Sequence, residues 1–306
     1  MRPFRFGVLI EADVQSRAAM LDLARRAENE GYDIVLGTDH LGRLASLQLL
    51  QVAAEATRLR IGTLVLNNDF RHPVVLAQEF AALDAVTEGR VEIGLGAGWA
   101  RDEYDAAGFT FGQPGKRLAR LQEAVAIIKQ ALSEGRIDRP ADGAYGRVLI
   151  EHMPRSMQRP HPPVLIGGGG PRTLSYAGRE AQTVSLDPRA YPDGGHIATD
   201  VTELLFDEKL GWIRDAAGER AAELEINVII FDVDPDYKPG AQQTSFEAGD
   251  LSVDEVVGSP HYLLGDTEAM VDKLIERRER WGINYVTIKP PHMDVLAPVV
   301  ARLAGR

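Results

Sequence analysis

Residues 57–98 read TRLRIGTLVLNNDFRHPVVLAQEFAALDAVTEGRVEIGLGAG and contain one complete strand–helix–strand unit. Residues 59–66 are apolar almost throughout, as in a strand buried on both faces of a sheet. Pro73 stands where a helix begins and a missing N–H costs nothing; Leu76, Phe80, Leu83 and Val86 follow as its inward stripe, and Gly89 lies beyond its end. Residues 91–95 form the next buried strand. A helix of this length between two strands returns the chain to its starting edge, so the strands are parallel.

The same unit recurs on both sides. Upstream, residues 4–10 and 32–37 read as strands, Met20, Leu23, Ala24 and Ala27 stripe a helix over 17–30 that Gly31 ends, and Leu47, Leu50, Ala54 and Thr57 mark the next helix. Downstream, Leu118, Leu121, Val125, Ile128 and Leu132 stripe a helix over 116–132, and strands follow at 164–166 and 183–186. Pro171 opens a helix between those two strands, and helices over 199–217, 267–281 and 294–303 alternate with strands at 226–231 and 285–288. Eight strands and eight helices predict the α/β class and one (β/α)8 TIM-barrel domain over residues 1–306, in preference to an open doubly wound sheet. Segments 135–163, 187–198 and 232–262 exceed what a connection needs and are predicted insertions. The last two follow strands, on the face where barrel active sites lie.

Lys and Arg total 34 against 45 Asp and Glu, and a net charge of −11 repels phosphate backbones, which excludes nucleic acid as a partner. Contents of 44% hydrophobic and 26% charged residues are those of an ordinary globular chain and exclude a disordered one. The absence of Cys excludes disulfides, thiolate nucleophiles and sulfur-ligated zinc, and fits a reducing compartment. The strand at 4–10 leaves no room for the apolar core of a signal peptide, and no run approaches the roughly 20 apolar residues of a membrane span. A cytoplasmic protein is expected.

Two strand ends are stripped of side chains: Gly94, Gly96, Ala97 and Gly98 at one, and Gly167, Gly168, Gly169 and Gly170 at the next. Such residues either make tight turns or let backbone N–H groups approach a ligand, and Pro171 at a helix start aims that helix's positive end at an anion. A phosphate at Gly168, Gly169 and Gly170 is therefore predicted. Neither run is a dinucleotide fingerprint, which would have to follow the first strand, where residues 4–14 offer only Gly7, and no Walker A sequence exists. Asp39 and His40 end strand two, where an imidazole either caps a loop or moves a proton near neutral pH. Asn67 lies at the end of strand three, Trp99 at that of strand four, and Lys289 and His292 follow strand eight. Trp99 either packs a core or walls a ring site.

These residues together resemble the luciferase-like monooxygenase family of flavin- or deazaflavin-dependent barrels. The matching stretches are YDIVLGTDH (residues 32–40), TRLRIGTLVLNNDFRHP (57–73), GRVEIGLGAGWARDEY (89–104), PVLIGGGGPR (163–172), GINYVTIK (282–289) and DVLAPVVARL (294–303), and they span nearly the whole chain. The chain is most similar to the branch that uses the 8-hydroxy-5-deazaflavin coenzyme F420. This resemblance implies a ring over a bulge in strand three, with a non-prolyl cis peptide at Leu64–Val65. The ring's polar edge would meet Asp39, His40 and groups near Thr63 and Asn67. Its stem would pass Gly96, Ala97 and Gly98, and its phosphate would rest on Gly168, Gly169 and Gly170, flanked by Gly167 and Arg172.

The implied reaction is hydride transfer between F420 and a small organic substrate, with F420H2-dependent reduction the expected direction. His40, Asp39 and Trp99 are the expected catalytic set, His40 supplying the proton. The sugar-phosphate dehydrogenases of that branch carry a Glu acid/base where this chain has Trp99, which points to an apolar, planar or unsaturated substrate instead. The anionic tail of F420 calls for positive charge at the pocket exit, for which Arg71, His72, Arg101 and Arg172 are nearest in sequence. A homodimer is expected.

Three rival readings use the same residues. An FMN-dependent monooxygenase, fed by a separate cofactor reductase, would use the same phosphate site. A metal-dependent barrel isomerase or lyase would draw on Glu11, Asp39, His40, Asp187, Asp232 and His292. A non-catalytic flavin-binding subunit would bind without turnover.

Overall fold

The computed structural model describes residues 1–10, 14, 16–245 and 248–306. In chain order its elements begin with β1 (Arg5–Ile10), α1 (Arg17–Asn29), β2 (Ile34–Gly37), α2 (Ser46–Ala56), β3 (Arg60–Thr63) and β4 (Leu66–Asn67). Next come α3 (Pro73–Val86), β5 (Val91–Gly96), α4 (Arg101–Ala107), α5 (Pro114–Glu134), β6 (Ile137–Arg139), β7 (Val148–Ile150), β8 (Val164–Gly168), α6 (Pro171–Glu180) and β9 (Thr183–Leu186). The chain ends with α7 (Glu203–Ala217), β10 (Glu225–Ile229), β11 (Asp232–Asp234), α8 (Val253–Gly258), β12 (Tyr262–Leu264), α9 (Thr267–Trp281), β13 (Ile283–Ile288) and α10 (Met293–Leu303).

Eight strand positions close into a parallel barrel: β1, β2, β3 with β4, β5, β8, β9, β10 and β13, with β13 bonded back to β1. The expected TIM barrel is the fold the chain forms. Strand three differs in detail. The apolar run at 59–66 is two strands: β3 pairs with both β2 and β5, β4 with β5, and the cis peptide Leu64–Val65 lies between them. The hydroxyl of Thr63 stitches the barrel there, donating to the Gly94 carbonyl at 2.8 Å and accepting from the Gly94 N–H at 2.9 Å.

Inward-facing residues fill the barrel in layers. At the closed end, Glu92 meets Arg5 at 2.6 Å and Arg60 at 2.5 Å, and Glu225 meets Arg5 at 2.8 Å. Above them Leu9, Ile34, Leu36, Leu64, Leu165 and Tyr285 form an apolar plug, each contributing about 1.5–3 kcal/mol by burial. The plug floors the cavity at the mouth.

The helices turn the predicted stripes inward, with Leu23 and Leu47 half-buried against the core; Val86, expected inward, is exposed, because α3 ends there and no further turn covers it. The helix expected from residue 199 starts at Glu203, since Asp200 is instead engaged with Arg189 and Lys209. α4, α8 and the short strands β6, β7, β11 and β12 were not expected. Within 135–163, β6 and β7 form an antiparallel pair, and the buried Asp84 carboxylate then accepts from the backbone of Met157 at 2.8 Å and Gln158 at 3.1 Å. Within 232–262, β11 and β12 pair in parallel. Among the described residues, no helix is long and apolar enough to cross a membrane.

Candidate active site

A cavity of about 540 Å³ opens at the carboxyl ends of the barrel strands. That volume is ordinary for a small-molecule site. Of the residues singled out in the sequence, Asp39, His40, Leu64, Val65 and Asn67 line it, as do Gly96, Ala97, Gly98 and Trp99 from the end of β5 and Gly167, Gly168, Gly169 and Gly170 from the end of β8. Thr63 and Arg172 do not. Thr63 is buried between β3 and β5, and Arg172 points out beside Gly115 at the start of α5.

The glycine run is a cradle because side chains cannot fit in it. A methyl group on Gly169 would lie 2.5 Å from the Asp187 carbonyl oxygen and 2.6 Å from the Arg189 nitrogen. On Gly170 it would meet nothing within 4 Å, so this residue opens onto space. Gly170 is also the N-cap of α6, and no side chain caps that helix. The first-turn N–H groups are left for an outside acceptor, with the helix dipole behind them.

Next to the cradle lies the Leu64–Val65 bulge. A methyl on Gly96 would come within 2.6 Å of Val65 Cγ2, and Gly98 adopts a left-handed φ of +80°. Asn67 is fixed on two sides: its backbone N–H donates to Asp39 at 3.0 Å, and the buried Tyr104 hydroxyl lies 2.9 Å from its side-chain oxygen. Asp39 also holds Arg71 at 2.7 Å, so its charge is neutralised and it braces β2 to β4.

At the other wall His40 Nδ1 lies 2.6 Å from Glu103 Oε1, and Glu103 Oε2 accepts the Leu41 N–H at 3.2 Å. A carboxylate only accepts, so Nδ1 carries a hydrogen and Nε2 is the atom left to exchange protons. Trp99 stands edge-on to His40 at 6.0 Å and is stacked by His196 at 4.1 Å. Burial and the nearby His40 lower the His196 pKa, which keeps that ring neutral.

Glu103 and His196 went unnoticed in the sequence, although Gly108, left-handed at the end of α4, was a helix stop that placed Glu103 in a first turn behind Trp99. The cations differ from expectation as well. Arg71 is held by Asp39, the His72 ring accepts the Val74 N–H at the start of α3, Arg101 pairs with Asp105 at 3.3 Å, and none of these or Arg172 lines the cavity. Arg117, Arg189 and Lys289 line it instead. Arg117 is buried, donates to the Gly112 carbonyl and covers the Phe111 ring at 3.9 Å, with no carboxylate paired to it among the described residues.

The residues considered for a metal are dispersed. Asp39 and His40 are engaged as above, Asp187 sits on a different wall, and His292 meets Asp232 at 3.7 Å outside the cavity lining. Glu11 lies outside the described residues. Among the described residues, no group of three or more His, Cys, Asp or Glu could hold a metal ion.

Known proteins resemble this chain in sequence and in fold. A protein of Mycobacterium tuberculosis named F420-dependent glucose-6-phosphate dehydrogenase is 28% identical over 96% of this chain and 94% of its own. A Kineococcus radiotolerans protein of the same name is 36% identical over 58% of this chain, and there the chain spans only 55% of the relative's length. The solved F420-dependent tetrahydromethanopterin reductase of Methanopyrus kandleri superposes with a TM-score of 0.78 at 20% identity, covering 98% of this chain and 99% of that one, and shares the fold. Residues 1–200 match the luciferase-like monooxygenase family, and the chain belongs to it.

Proposed function

We propose that this chain is an F420-dependent oxidoreductase that moves a hydride between the deazaflavin and a small organic substrate. One observation carries the reading: the uncapped amides of α6 and the bulge at Leu64–Val65 open into the same cavity, the first suited to an anionic stem and the second to a flat ring. The names of the relatives support F420 as that cofactor. The residues fit it. Gly170 leaves the amides open to a phosphate, and Arg117 adds a guanidinium with no ion pair to a carboxylate among the described residues.

When bound, the deazaflavin supplies or accepts the hydride. The chain orients both reactants and moves the proton. His40 takes a proton at Nε2 from an alcohol, or as imidazolium donates one to a carbonyl or alkene, while Glu103 holds the ring by Nδ1 and stabilises its charge. The stacked pair Trp99 and His196 walls that end of the cavity. With Trp99 in place of a carboxylate, Ile229 and Phe231 on the same cavity and Arg189 already paired to Asp200, an uncharged unsaturated or carbonyl compound suits the site better than a sugar phosphate.

Titrating the apoprotein with F420 and with FMN, followed by cofactor fluorescence, tests the reading. F420 is expected to bind and FMN to bind more weakly. Tight binding of FMN with no binding of F420 would favour the monooxygenase alternative. Steady-state assays with glucose 6-phosphate are expected to show no turnover.

A further inference from the structure

Asp187 follows β9 and lines the cavity beside the cradle. A methyl on Gly167 would lie 3.1 Å from Asp187 Oδ2 and 3.1 Å from Val65 Cγ1, which places the carboxyl where the cradle meets the bulge. Among the described residues nothing hydrogen-bonds to that carboxyl.

The nearby cations are held by Asp200. Lys209 Nζ donates to the Asp187 carbonyl at 2.9 Å, the Asp200 carbonyl at 2.8 Å and Asp200 Oδ2 at 2.8 Å, which uses all three ammonium protons. Arg189 donates its backbone N–H at 2.6 Å and its guanidinium at 2.8 Å to the same Asp200. From the other walls the cavity is faced by Asp39 with Arg71, His40 with Glu103, His196 on Trp99, Arg117 from α5 and Lys289 after β13. Two residues before Asp187, the Ser185 hydroxyl and the Asn227 side-chain oxygen are fully buried without partners among the described residues, in register across β9 and β10. Burial, opposed only by Lys209, pushes the Asp187 pKa up to about 7.

We propose, on the strength of the F420 reading above, that Asp187 is a further cofactor-binding residue that engages the anionic stem as the neutral acid, donating its proton to a stem oxygen while the α6 amides hold the phosphate. A carboxylate at this point would repel the stem, whereas a carboxylic acid is a hydrogen-bond donor to it. Binding then takes up one proton wherever the free carboxyl is ionised, so affinity falls as pH rises through the range in which Asp187 titrates.

The test is a fluorescence titration with F420 on the wild type and D187N between pH 6 and 9. The variant removes a charge that burial opposes, so it is expected to be no less stable than the wild type at pH 8. For the wild type Kd is expected to rise about tenfold between pH 6.5 and 8, and for D187N to lose that dependence. Every other group is the same in both proteins, so the difference between the curves isolates Asp187. Parallel curves would overturn the assignment. Calorimetry of the wild type at pH 8, in two buffers of different ionisation enthalpy, should show about one proton taken up per F420 bound. No uptake overturns the assignment whatever the variant does. Binding of F420 with a pH-independent Kd defeats the role of Asp187 alone, and failure of F420 to bind at any pH defeats the proposed function with it.

Discussion

At the closed end of the barrel, Arg5, Arg60, Glu92 and Glu225 are joined by ion pairs of 2.5–2.8 Å; at the open end, Gly170 leaves α6 uncapped and Asp187 has no hydrogen-bond partner among the described residues. One strand shows both treatments, since β5 carries Glu92 at its start and Gly94 and Gly96 further along. A paired buried charge seals and holds the strands, and removing one partner strands the other. Unused donors at the mouth cost stability in the free protein, and they are what a ligand can satisfy. Substitutions at the two ends should therefore separate binding and turnover from folding.

The largest effect is expected at the mouth. His40→Ala should lower kcat about 10²- to 10⁴-fold, with F420 affinity within severalfold of wild type and the melting temperature unchanged. Unchanged turnover in steady-state assays would remove His40 from the mechanism. At the closed end, Glu92→Ala should cost about 3–5 kcal/mol in urea unfolding, because two guanidinium groups lose their shared carboxylate, while the folded fraction binds F420 normally. An unfolding free energy within about 1 kcal/mol of wild type would show that the charges there are worth no more than surface pairs.

Smaller effects sharpen the contrast. Gly169→Ala forces a methyl against the backbone of residues 187 and 189 and should weaken F420 binding about 10- to 100-fold in the fluorescence titration, with little loss of fold. Equal loss of stability and of affinity would mean that the cradle is structural. Glu103→Gln should lower kcat about tenfold without changing Kd, since the amide can still accept from Nδ1 but no longer offsets the imidazolium charge. A change in Kd alone would make Glu103 a cofactor contact.

The barrel was legible because its signals are local. Strand runs, helical stripes and glycine stops each lie within a dozen residues, and parallel connectivity follows from their alternation. The cradle was legible for a related reason: a missing side chain is visible in the sequence itself. Charge pairing was not. Arg71 and Arg101 were among the cations expected at the pocket exit from their sequence positions, yet Asp39 and Asp105 neutralise them, while Arg117, from the first turn of α5, reaches the cavity. His196 sits in a loop with no periodicity, and its stacking on Trp99 depends on two strand ends meeting in space. Strand three failed as a single run because the apolar pattern continues unbroken through the Leu64–Val65 bulge.

A crystal structure of the protein grown with F420 tests the central claim most directly. The phosphate oxygens are expected within about 3.2 Å of the first-turn amides of α6, beside Gly168, Gly169 and Gly170, with the ring against Leu64 and Val65. A stem bound elsewhere, with those amides facing only solvent, would contradict the account.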